Sequence, residues 1–327
     1  MVKALKPLKG CQYSELASHP SDPHGLSFKI DGIRAMIYGD CQARSTTGKL
    51  LPNEHLQREF KLISSFSEGL DGEIVVGEPN DPNVFQASSS FTMSKANEAD
   101  FHFYVFDDFS EPDLPFHVRY ANYKRRVKGI NAALVQAGCR PFLKSVEYVN
   151  IESDDQYLAM KRLASEKGYE GLYGKLWQAP YKHGRSTPKQ GWVWKDKPWA
   201  DEEGIVIGVE EMMHNANEAK VNDLGYTTRS TAKDGLVPSG FAGALVVVNP
   251  KYGNNKFRVS LGSVTMDERK RLWDSRDTLT SSIVKYKFFD FGVVNVPRSA
   301  IFCDFRPEID VDSELLSSLK EHANKFL

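Results

Sequence analysis

The chain has 327 residues, of which 41% are hydrophobic and 26% charged, and its formal net charge at pH 7 is −1. This length is enough for about two domains of ordinary size, and the composition is that of a globular protein. No apolar run reaches the ~18–20 residues of a membrane helix, and residues 1–11 lack a signal-peptide core, so we expect an intracellular protein. The four cysteines form no CxxC pair, which argues against a zinc ribbon and a disulfide framework.

The first two-thirds of the chain alternates strand-like and helix-like segments. The predicted strands are rich in β-branched and aromatic residues: Leu26–Tyr38, Gly72–Val76, Phe101–Phe106, Phe142–Val149, Gly171–Leu176 and Trp192–Lys195. The predicted helices are Asn53–Phe66, Val118–Gln136 and Asp154–Glu166. This alternation predicts an α+β domain.

After Pro198-Trp199 strands dominate. Five are predicted, at Gly204–Val209, Gly243–Val248, Lys256–Leu261, Ile283–Asp290 and Ser299–Phe305, with one short helix at Met266–Ser275. Five strands and one helix are the inventory of a small OB-type barrel. A polar, glycine-rich excursion, Glu210–Ala242, separates the first two strands and is long enough to suggest a functional loop. The terminal segment Asp312–Leu327 is amphipathic, and we expect it to pack on its own domain.

The run Lys29-Ile30-Asp31-Gly32-Ile33-Arg34 lies in an apolar stretch and makes Lys29 a candidate nucleophile. An ordinary lysine has a pKa near 10.4 and is protonated at pH 7. Burial and neighbouring cations favour loss of that proton, which attack on phosphorus requires. The alternative is a half-buried strand with one solvent-reaching lysine and an Asp-Gly turn.

The local excess of positive charge between Trp177 and Trp199 also indicates a phosphate-binding surface. Five cations and one anion lie between Trp177 and Trp199, together with four of the five tryptophans. A local basic surface binds phosphates even in a protein of balanced charge. A mixed-sign solvated surface is the alternative explanation.

Several further motifs follow Lys29 in a fixed order. They are Arg44-Ser45-Thr46, Asp71-Gly72-Glu73, Phe103–Asp107, Glu170-Gly171 with Lys175, and Trp194-Lys195-Asp196-Lys197. The ordered set resembles the nucleotidyltransferase motifs of covalent ligases and mRNA capping enzymes. From about Leu26 to Asp310 the chain is similar to small ATP-dependent DNA ligases of minimal viral type, including Tyr181–Thr187 and the ending Phe302–Asp310.

The resemblance implies a fold and an activity. Residues 1–198 would form an adenylation (nucleotidyltransferase) domain of antiparallel sheets with flanking helices. Residues 199–327 would form an OB-fold domain, with a DNA-gripping latch at about 212–242. The enzyme would seal 3′-hydroxyl/5′-phosphate nicks in duplex DNA through a lysyl-AMP intermediate and an adenylylated DNA intermediate. Its cofactors would be ATP and Mg²⁺, with Mn²⁺ as a substitute, and it would act as a monomer that encircles nicked DNA.

The resemblance also assigns roles at the nucleotide. Lys29 would carry AMP, and Lys195 and Lys197 would lie against the phosphates, where their charge also favours a neutral Lys29. Glu73 would accept hydrogen bonds from the ribose, and Phe106 would stack on adenine.

Four further nucleotide-binding residues are implied besides these: Arg34, Glu170, Arg298 and Arg306. Arg34 would orient Lys29, and Arg298 and Arg306 would orient the leaving pyrophosphate. Glu170, together with Glu73, would lie near a divalent metal.

The implied DNA contacts are basic. Arg34 and Arg44 would hold the 5′-phosphate of the nick, because a guanidinium fork suits that oxyanion. Contacts to DNA are also expected from Arg185, Lys220, Arg229 and Lys233. Such contacts to the backbone give salt-dependent binding without sequence preference.

The chain departs from the family pattern in two places. Tyr173-Gly174 replaces two aliphatic residues, and Ser299-Ala300 replaces Phe-Pro after Arg298. Three alternatives stay open: an mRNA capping guanylyltransferase that uses GTP, an RNA ligase, and a DNA-binding module without catalysis. The latch-like excursion argues against the first two, and the full set of motif residues argues against the third.

Overall fold

The computed structural model describes residues 5–16, 23–222, 224–293 and 295–327. For Ser64 and Ser65 it describes the backbone but not the side chains. Position 223 of the expected latch therefore lies outside the described residues. The described chain divides into two compact units. The first consists of Met1–Lys197 with Val221–Tyr226, and the second of Pro198–Lys220 with Thr227–Leu327.

The first unit contains two five-stranded sheets. Sheet A comprises, in spatial order, β1 (Cys11–Gln12), β10 (Val193–Asp196), β9 (Leu172–Leu176), β2 (His24–Phe28) and β8 (Val149–Ile151). Sheet B comprises β4 (Ala43–Arg44), β3 (Ile33–Ile37), β5 (Leu70–Val75), β6 (His102–Asp108) and β7 (Leu143–Ser145). Pairing is antiparallel except at one edge of each sheet, where β1 joins β10 and β6 joins β7 in parallel.

The expectation of one continuous strand over Leu26–Tyr38 is wrong. Strand β2 ends at Phe28 and β3 begins at Ile33, and the two strands belong to different sheets. Residues 29–32 carry the chain from sheet A to sheet B. The apolar pattern continues through this crossing because both flanking strands are buried, so periodicity alone did not reveal it.

The same error recurs at Phe142–Val149. This segment contains β7, in sheet B, and the start of β8, in sheet A. A short apolar run does not indicate which sheet each of its halves will join.

The helices of the first unit are α1 (Glu54–Leu62), α2 (Ser64–Ser67), α3 (Val84–Met93), α4 (Phe116–Gln136) and α5 (Asp154–Glu166). Helix α5 has the predicted bounds, and its N-cap Ser153 accepts a hydrogen bond from the Gln156 amide. Helix α3 was not expected, because its middle is the serine-rich Ala87-Ser88-Ser89-Ser90, a poor helix signal.

The second unit is built on a closed five-stranded barrel in the order β11-β14-β15-β17-β16, as expected for an OB-type fold. Its strands are β11 (Trp199–Asn215), β14 (Leu236–Val248), β15 (Phe257–Ser260), β16 (Ile283–Phe289) and β17 (Arg298–Arg306). Helices α6 (Met266–Asp274) and α7 (Arg276–Leu279) lie between β15 and β16 in the chain. The barrel core contains Leu245, Val259 and Tyr286, all fully buried.

The excursion between the first two barrel strands is more regular than expected. Strand β11 runs on to Asn215, and β14 begins at Leu236 and pairs with it in antiparallel register. Between them, β12 (Ala219–Val221) and β13 (Thr227–Arg229) form a two-stranded sheet. The polar, glycine-rich composition concealed these strands, since solvated hairpins lack an apolar face.

The terminal helix α8 (Ser313–Ala323) packs on its own barrel, as its amphipathic pattern predicts. Leu319 and Ala323 are buried against Ile205, Val248 and Ile283. In the part of the chain that the structure describes, no helix combines the length and the apolar character that crossing a membrane requires.

Candidate active site

A cavity of about 240 Å³ lies in the first unit and gathers residues from both sheets. Six expected site residues line it: Lys29, Arg34, Glu73, Phe106, Arg185 and Lys195. The crossing between the sheets places Lys29 in the cavity wall. Residues far apart in sequence therefore line one cleft, as a ligand pocket requires.

Gly32 lets the crossing lie directly against β5. A Cβ atom at this position would stand 2.3 Å from the carbonyl oxygen of Ile74 and 2.9 Å from Cγ of Glu73. No other residue fits without moving the strand that carries Glu73. The Asp-Gly pair of the Lys29 motif is therefore needed for close packing as well as for a turn.

A second glycine fixes the position of the segment that carries Glu170. Gly171 has a φ of +144°, and a Cβ there would approach the carbonyl oxygen of Asp196 to 2.1 Å. The carbonyl of Gly171 accepts a hydrogen bond of 2.8 Å from the Lys29 amide. Glu170 is thereby held between the Lys29 crossing and the end of β10, where Lys197 follows.

Lys29 and Lys197 both bond the carboxylate of Glu170, one to each oxygen. Burial alone lowers the pKa of Lys29, but Glu170 and Glu73 outweigh burial and raise this pKa above its ordinary value. Burial likewise opposes ionisation of Glu170, yet the two ammonium groups hold its pKa below the usual range. The carboxylates therefore favour the ammonium form of Lys29 in the nucleotide-free protein, in spite of its burial.

Glu73 faces the same lysine from β5. Burial raises the pKa of this carboxyl to about 7, against the opposing charges of Lys29 and Arg34. Glu73 is therefore divided between its two protonation states near neutral pH. Perturbed carboxyl pKa values in a cavity are typical of functional sites.

Two cations flank the ring of Phe106 in the cavity. The guanidinium of Arg34 is 5.1 Å and the ammonium of Lys175 is 5.2 Å from the ring centroid. Arg34 also donates to both carboxylate oxygens of Asp71 and to the carbonyl of Leu8, at 2.5–2.9 Å. In this structure Arg34 therefore packs against Phe106 and helps to hold its ring in the cavity wall.

A fully buried charge network lies behind Phe106. Lys175 donates to Asp107 and to the carbonyl of Phe106, each at 2.7 Å, and Arg119 donates to both oxygens of Asp107. Burial lowers the pKa of Lys175 to about 8 although Asp107 opposes it. Burial raises the pKa of Asp107, but the two cations outweigh burial and lower it to about 2.

Sequence reasoning did not identify Lys9 and Tyr148 as cavity residues, and it noted Tyr173 only as a departure from a family pattern; all three line the cavity. Tyr173 opposes Lys195 in the register of β9 and β10. The Lys9 segment forms only an isolated bridge and a two-residue strand, so it carries no pattern from which its position could be predicted.

The remaining expected DNA contacts lie at the surface or in local networks. Arg44 bonds Asp40 and the carbonyl of Gly48. In the excursion between β11 and β14, Lys220 lies 3.8 Å from Glu218 and Arg229 bonds the carbonyl of Asn217. Lys233 in the same segment is exposed.

Arg298 and Arg306 are the first and last residues of β17 in the second unit. Arg306 donates to the carbonyl of Asp310 at 3.4 Å. As for metals, the described residues contain no cluster of three or more histidine, cysteine or acidic side chains arranged to hold an ion.

No protein-family model matches the chain. Among curated proteins, the DNA ligase of African swine fever virus isolate Tick/Malawi/Lil 20-1/1983 is 26% identical over 197 residues, which cover 57% of this chain and 44% of the relative. The DNA ligase of isolate Pig/Kenya/KEN-50/1950 is also 26% identical, over 55% of this chain and 42% of the relative. The chain thus spans less than half the length of these curated relatives.

Solved structures match over nearly the whole chain. A Chlorella virus DNA ligase-adenylate is 25% identical, with a TM-score of 0.50 and coverage of 93% of this chain and 99% of that one. A Lig E DNA ligase is 20% identical, with a TM-score of 0.67 and coverage of 93% and 100%. The fold is therefore that of the DNA ligases, a nucleotidyltransferase domain followed by an OB barrel, and the predicted fold class is confirmed. Within that class the similarity to minimal viral ATP-dependent ligases, inferred from the ordered motifs, is also confirmed.

Proposed function

We propose that this chain is an ATP-dependent DNA ligase that seals nicks between a 3′-hydroxyl and a 5′-phosphate. The observation that carries the proposal is the placement of Lys29 in the wall of the cavity, bonded to a glutamate that Lys197 also bonds. The viral relatives named DNA ligase, and the viral ligase solved as its adenylate, support this choice among enzymes with a lysine nucleophile.

In the first step, Nζ of Lys29 attacks the α-phosphorus of ATP. An N–P bond forms, the bond to the bridging oxygen breaks, and pyrophosphate leaves with the electron pair. The ammonium must give up a proton before its lone pair is available, and Glu170, which already bonds it, is placed to accept that proton. Lys195 and Lys197 lie where positive charge stabilises the phosphate oxygens during this transfer.

Recognition of the nucleotide uses the aromatic and acidic walls of the cavity. Phe106 offers a flat apolar face to adenine, and Arg34 and Lys175 hold that ring in place. Glu73 accepts hydrogen bonds from the ribose hydroxyls, which favour the carboxylate form of a group whose pKa is about 7.

We assign the binding of Mg²⁺ to the carboxylates of Glu170 and Glu73, because proteins usually hold this ion through one or two carboxylates together with substrate phosphates. Mn²⁺ accepts the same oxygen donors. An ion bound there would supply charge neutralisation at the phosphate oxygens.

In the later steps, AMP passes from Lys29 to the 5′-phosphate of the nick, and attack by the 3′-hydroxyl then releases AMP and closes the strand. We assign residues 1–198 to the adenylation domain and 199–327 to the OB-fold domain. A single chain surrounds the nicked duplex, the insertion at about 212–242 acts as the latch, and the site of action is an intracellular compartment that holds DNA.

The basic residues then fall into three groups. Arg34, Arg44 and Arg185 serve the 5′-phosphate side of the nick, and Lys220, Arg229 and Lys233 contact backbone phosphates from the latch. Arg298 and Arg306 orient pyrophosphate as it leaves during the first step.

The direct test incubates the protein with Mg²⁺ and α-labelled ATP or GTP and then adds either nicked DNA or nicked RNA. We expect acid-labile label on the protein from ATP and not from GTP, followed by sealing of the nick. Label from GTP alone would identify a capping guanylyltransferase, and preference for nicked RNA would identify an RNA ligase. Binding of nicked DNA without any labelling would identify a non-catalytic module.

The latch assignment has its own test. Deleting residues 217–231 and joining the flanking strands by a short turn removes β12 and β13 but leaves the barrel strands. We expect weaker binding to nicked DNA and a shallower salt dependence, because fewer phosphates are neutralised, with unchanged labelling by ATP. Unchanged DNA affinity would refute the latch assignment.

A further inference from the structure

Two aromatic side chains stand directly beside the paired residues of the site. Phe28 precedes Lys29 in the chain, and Tyr169 precedes Glu170. The rings of Phe28 and Tyr169 are stacked, with centroids 4.4 Å apart and an interplanar angle of 11°. The stack therefore connects the two segments that carry the ion pair of Lys29 with Glu170.

The main-chain ladder between these segments ends at the same point. Strands β2 and β9 pair as far as Phe28 opposite Leu172, and the Lys29 amide donates to the Gly171 carbonyl at 2.8 Å. Beyond this bond the chain after Lys29 crosses to sheet B, while the chain before Glu170 leads back to α5. Because the two segments diverge here, side-chain contacts hold them together past the end of the ladder.

The end of α5 holds Tyr169 in place. The Tyr169 amide donates to the carbonyl of Ala164 at 2.9 Å, and the side chain of Asn80 donates to the carbonyl of Lys167 at 2.8 Å. The ammonium of Lys167 also lies 5.9 Å from the centroid of the Phe28 ring. The turn that follows α5 is therefore fixed at its backbone and contacts Phe28 through two side chains.

Phe28 lies between the core of the unit and the nucleotide cavity. Its half-buried ring packs against a buried cluster that includes Leu26, Leu172 and Trp194, and Tyr169 packs against the same cluster. Phe28 also lines the cavity, next to Lys29. A shift of the Phe28 ring would therefore move the start of the crossing that carries the lysine.

The ion pair alone does not hold Lys29 beside Glu170 throughout the proposed reaction. Once Nζ of Lys29 carries AMP it is no longer an ammonium ion, and its charge attraction to Glu170 is lost. The stack is made of uncharged rings, so it persists when the lysine changes its charge.

We propose that Phe28 and Tyr169 are positioning residues, which act as a stacked pair to hold Nζ of Lys29 beside Glu170 while AMP is transferred. The proposal rests on the proposed function, because it concerns the step in which Lys29 reacts. A misplaced nucleophile slows the chemical step and leaves the binding of the nucleotide nearly unchanged.

Single-turnover self-labelling over a range of ATP concentrations tests the pair. We expect Phe28→Leu and Tyr169→Leu each to lower the limiting rate about tenfold, which corresponds to about 1.4 kcal/mol, with an unchanged half-saturating ATP concentration. Tyr169→Phe keeps the ring and should label at the normal rate. The double variant with leucine at both positions should be no slower than either single variant, because each change already breaks the stack.

Met160→Ala is the matched control for a general loss of stability. Met160 lies in α5, packs against the same buried cluster and does not line the cavity. Denaturant unfolding should show a lower stability for this variant, whereas its limiting rate of labelling should equal that of the unmodified protein. An equal loss of rate in Met160→Ala would overturn the positioning role.

The remaining outcomes separate the positioning role from the ligase function. Losses of rate that multiply in the double variant would show that the two rings do not act as a pair. A raised half-saturating ATP concentration with a normal limiting rate would make Phe28 a nucleotide contact instead. If the unmodified protein takes no label from ATP, the ligase function fails and the positioning role fails with it. If it labels and Tyr169→Leu labels equally fast, only the positioning role fails.

Discussion

Glu170 and Asp107 are both buried carboxylates that bond two cations, but solvent reaches the two sets of cations differently. The side chains of Lys29 and Lys197 at Glu170 are 19% and 14% exposed. Those of Lys175 and Arg119 at Asp107 are 3% and 2% exposed. In the first arrangement Lys29 lines the cavity, so a substrate bound there can reach the ion pair of Lys29 with Glu170. The second is sealed behind Phe106 and can act only on the shape of the cavity wall.

The pKa shifts separate the two lysines further. At Glu170 the carboxylates outweigh burial, and the pKa of Lys29 is raised. At Asp107 burial outweighs the carboxylate, and the pKa of Lys175 falls to about 8. A low pKa alone would thus have pointed to the wrong nucleophile, because Lys175 has no access to a substrate. Access to the cavity, rather than the ease of deprotonation, distinguishes the reactive lysine.

The largest expected effect on self-labelling comes from replacing Lys29, and it is compared with the effect of replacing Lys175. Lys29→Ala should lower self-labelling by ATP at least about a thousandfold, because it removes the nucleophile itself. Lys175→Met should lower labelling by no more than about tenfold, through a higher KM, since it only loosens the support of Phe106. Single-turnover labelling over a range of ATP concentrations measures both. Substantial labelling of Lys29→Ala would exclude Lys29 as the carrier of AMP.

The second comparison concerns the carboxylates. Glu170→Gln should lower labelling about a hundredfold or more while costing the free energy of unfolding less than about 2 kcal/mol. Asp107→Asn should cost about 3–5 kcal/mol, because it leaves two cations buried without their counter-ion. Denaturant unfolding and single-turnover labelling of both variants check this. Equal losses of stability would contradict the distinction between an open and a sealed site.

The sequence predicted the residues that line the cavity better than the buried residues that hold them in place. Lys29, Glu73, Phe106 and Lys195 were predicted from ordered motifs, and all of them line one cavity. Arg119 was not singled out, because it is one of several basic residues in the long helix α4 and nothing in the pattern shows which of them turns inward.

The fold was predictable at the level of domain class and less so at the level of strands. The five barrel strands were expected, because each is a short run that contains β-branched or aromatic residues. The break between Phe28 and Ile33 was not, because joining two sheets is a tertiary property that an apolar run does not encode. Lys9 was missed for a related reason, since its position depends on main-chain bonds to residues 184–186.

A third prediction concerns how the rate of self-labelling by ATP depends on pH, in the unmodified protein and in Glu170→Gln. Attack requires neutral Lys29, whose pKa is raised in the free protein, so self-labelling should rise with pH by up to about tenfold per unit while the ammonium form dominates. Glu170→Gln removes the strongest opposing charge, lowers the pKa of Lys29, and should move this rise to lower pH. Glu166→Gln, an exposed change in α5, is the control. A pH profile that Glu170→Gln leaves unshifted would contradict the pairing of Glu170 with Lys29.

The smallest expected effect is on the stability of the sealed site. The pKa of Lys175 is about 8 in the folded chain and 10.5 as its ordinary value, so the unfolded chain binds more protons between these limits. The free energy of unfolding should therefore rise with pH across this window, by up to about 1.4 kcal/mol per pH unit from this group. Lys175→Met should remove that contribution. The difference between the two unfolding curves from pH 7 to 10 measures it, and a constant difference would contradict the buried ammonium.

The most direct test of the account is to locate the nucleotide on the protein. The full chain is incubated with ATP and Mg²⁺, digested at neutral pH, and the peptides are mapped by mass spectrometry. The account predicts AMP on the peptide that contains Lys29, and on no peptide containing Lys175, Lys195 or Lys197. AMP on any of those three lysines, or an unmodified Lys29 in a preparation that seals nicks, would contradict it.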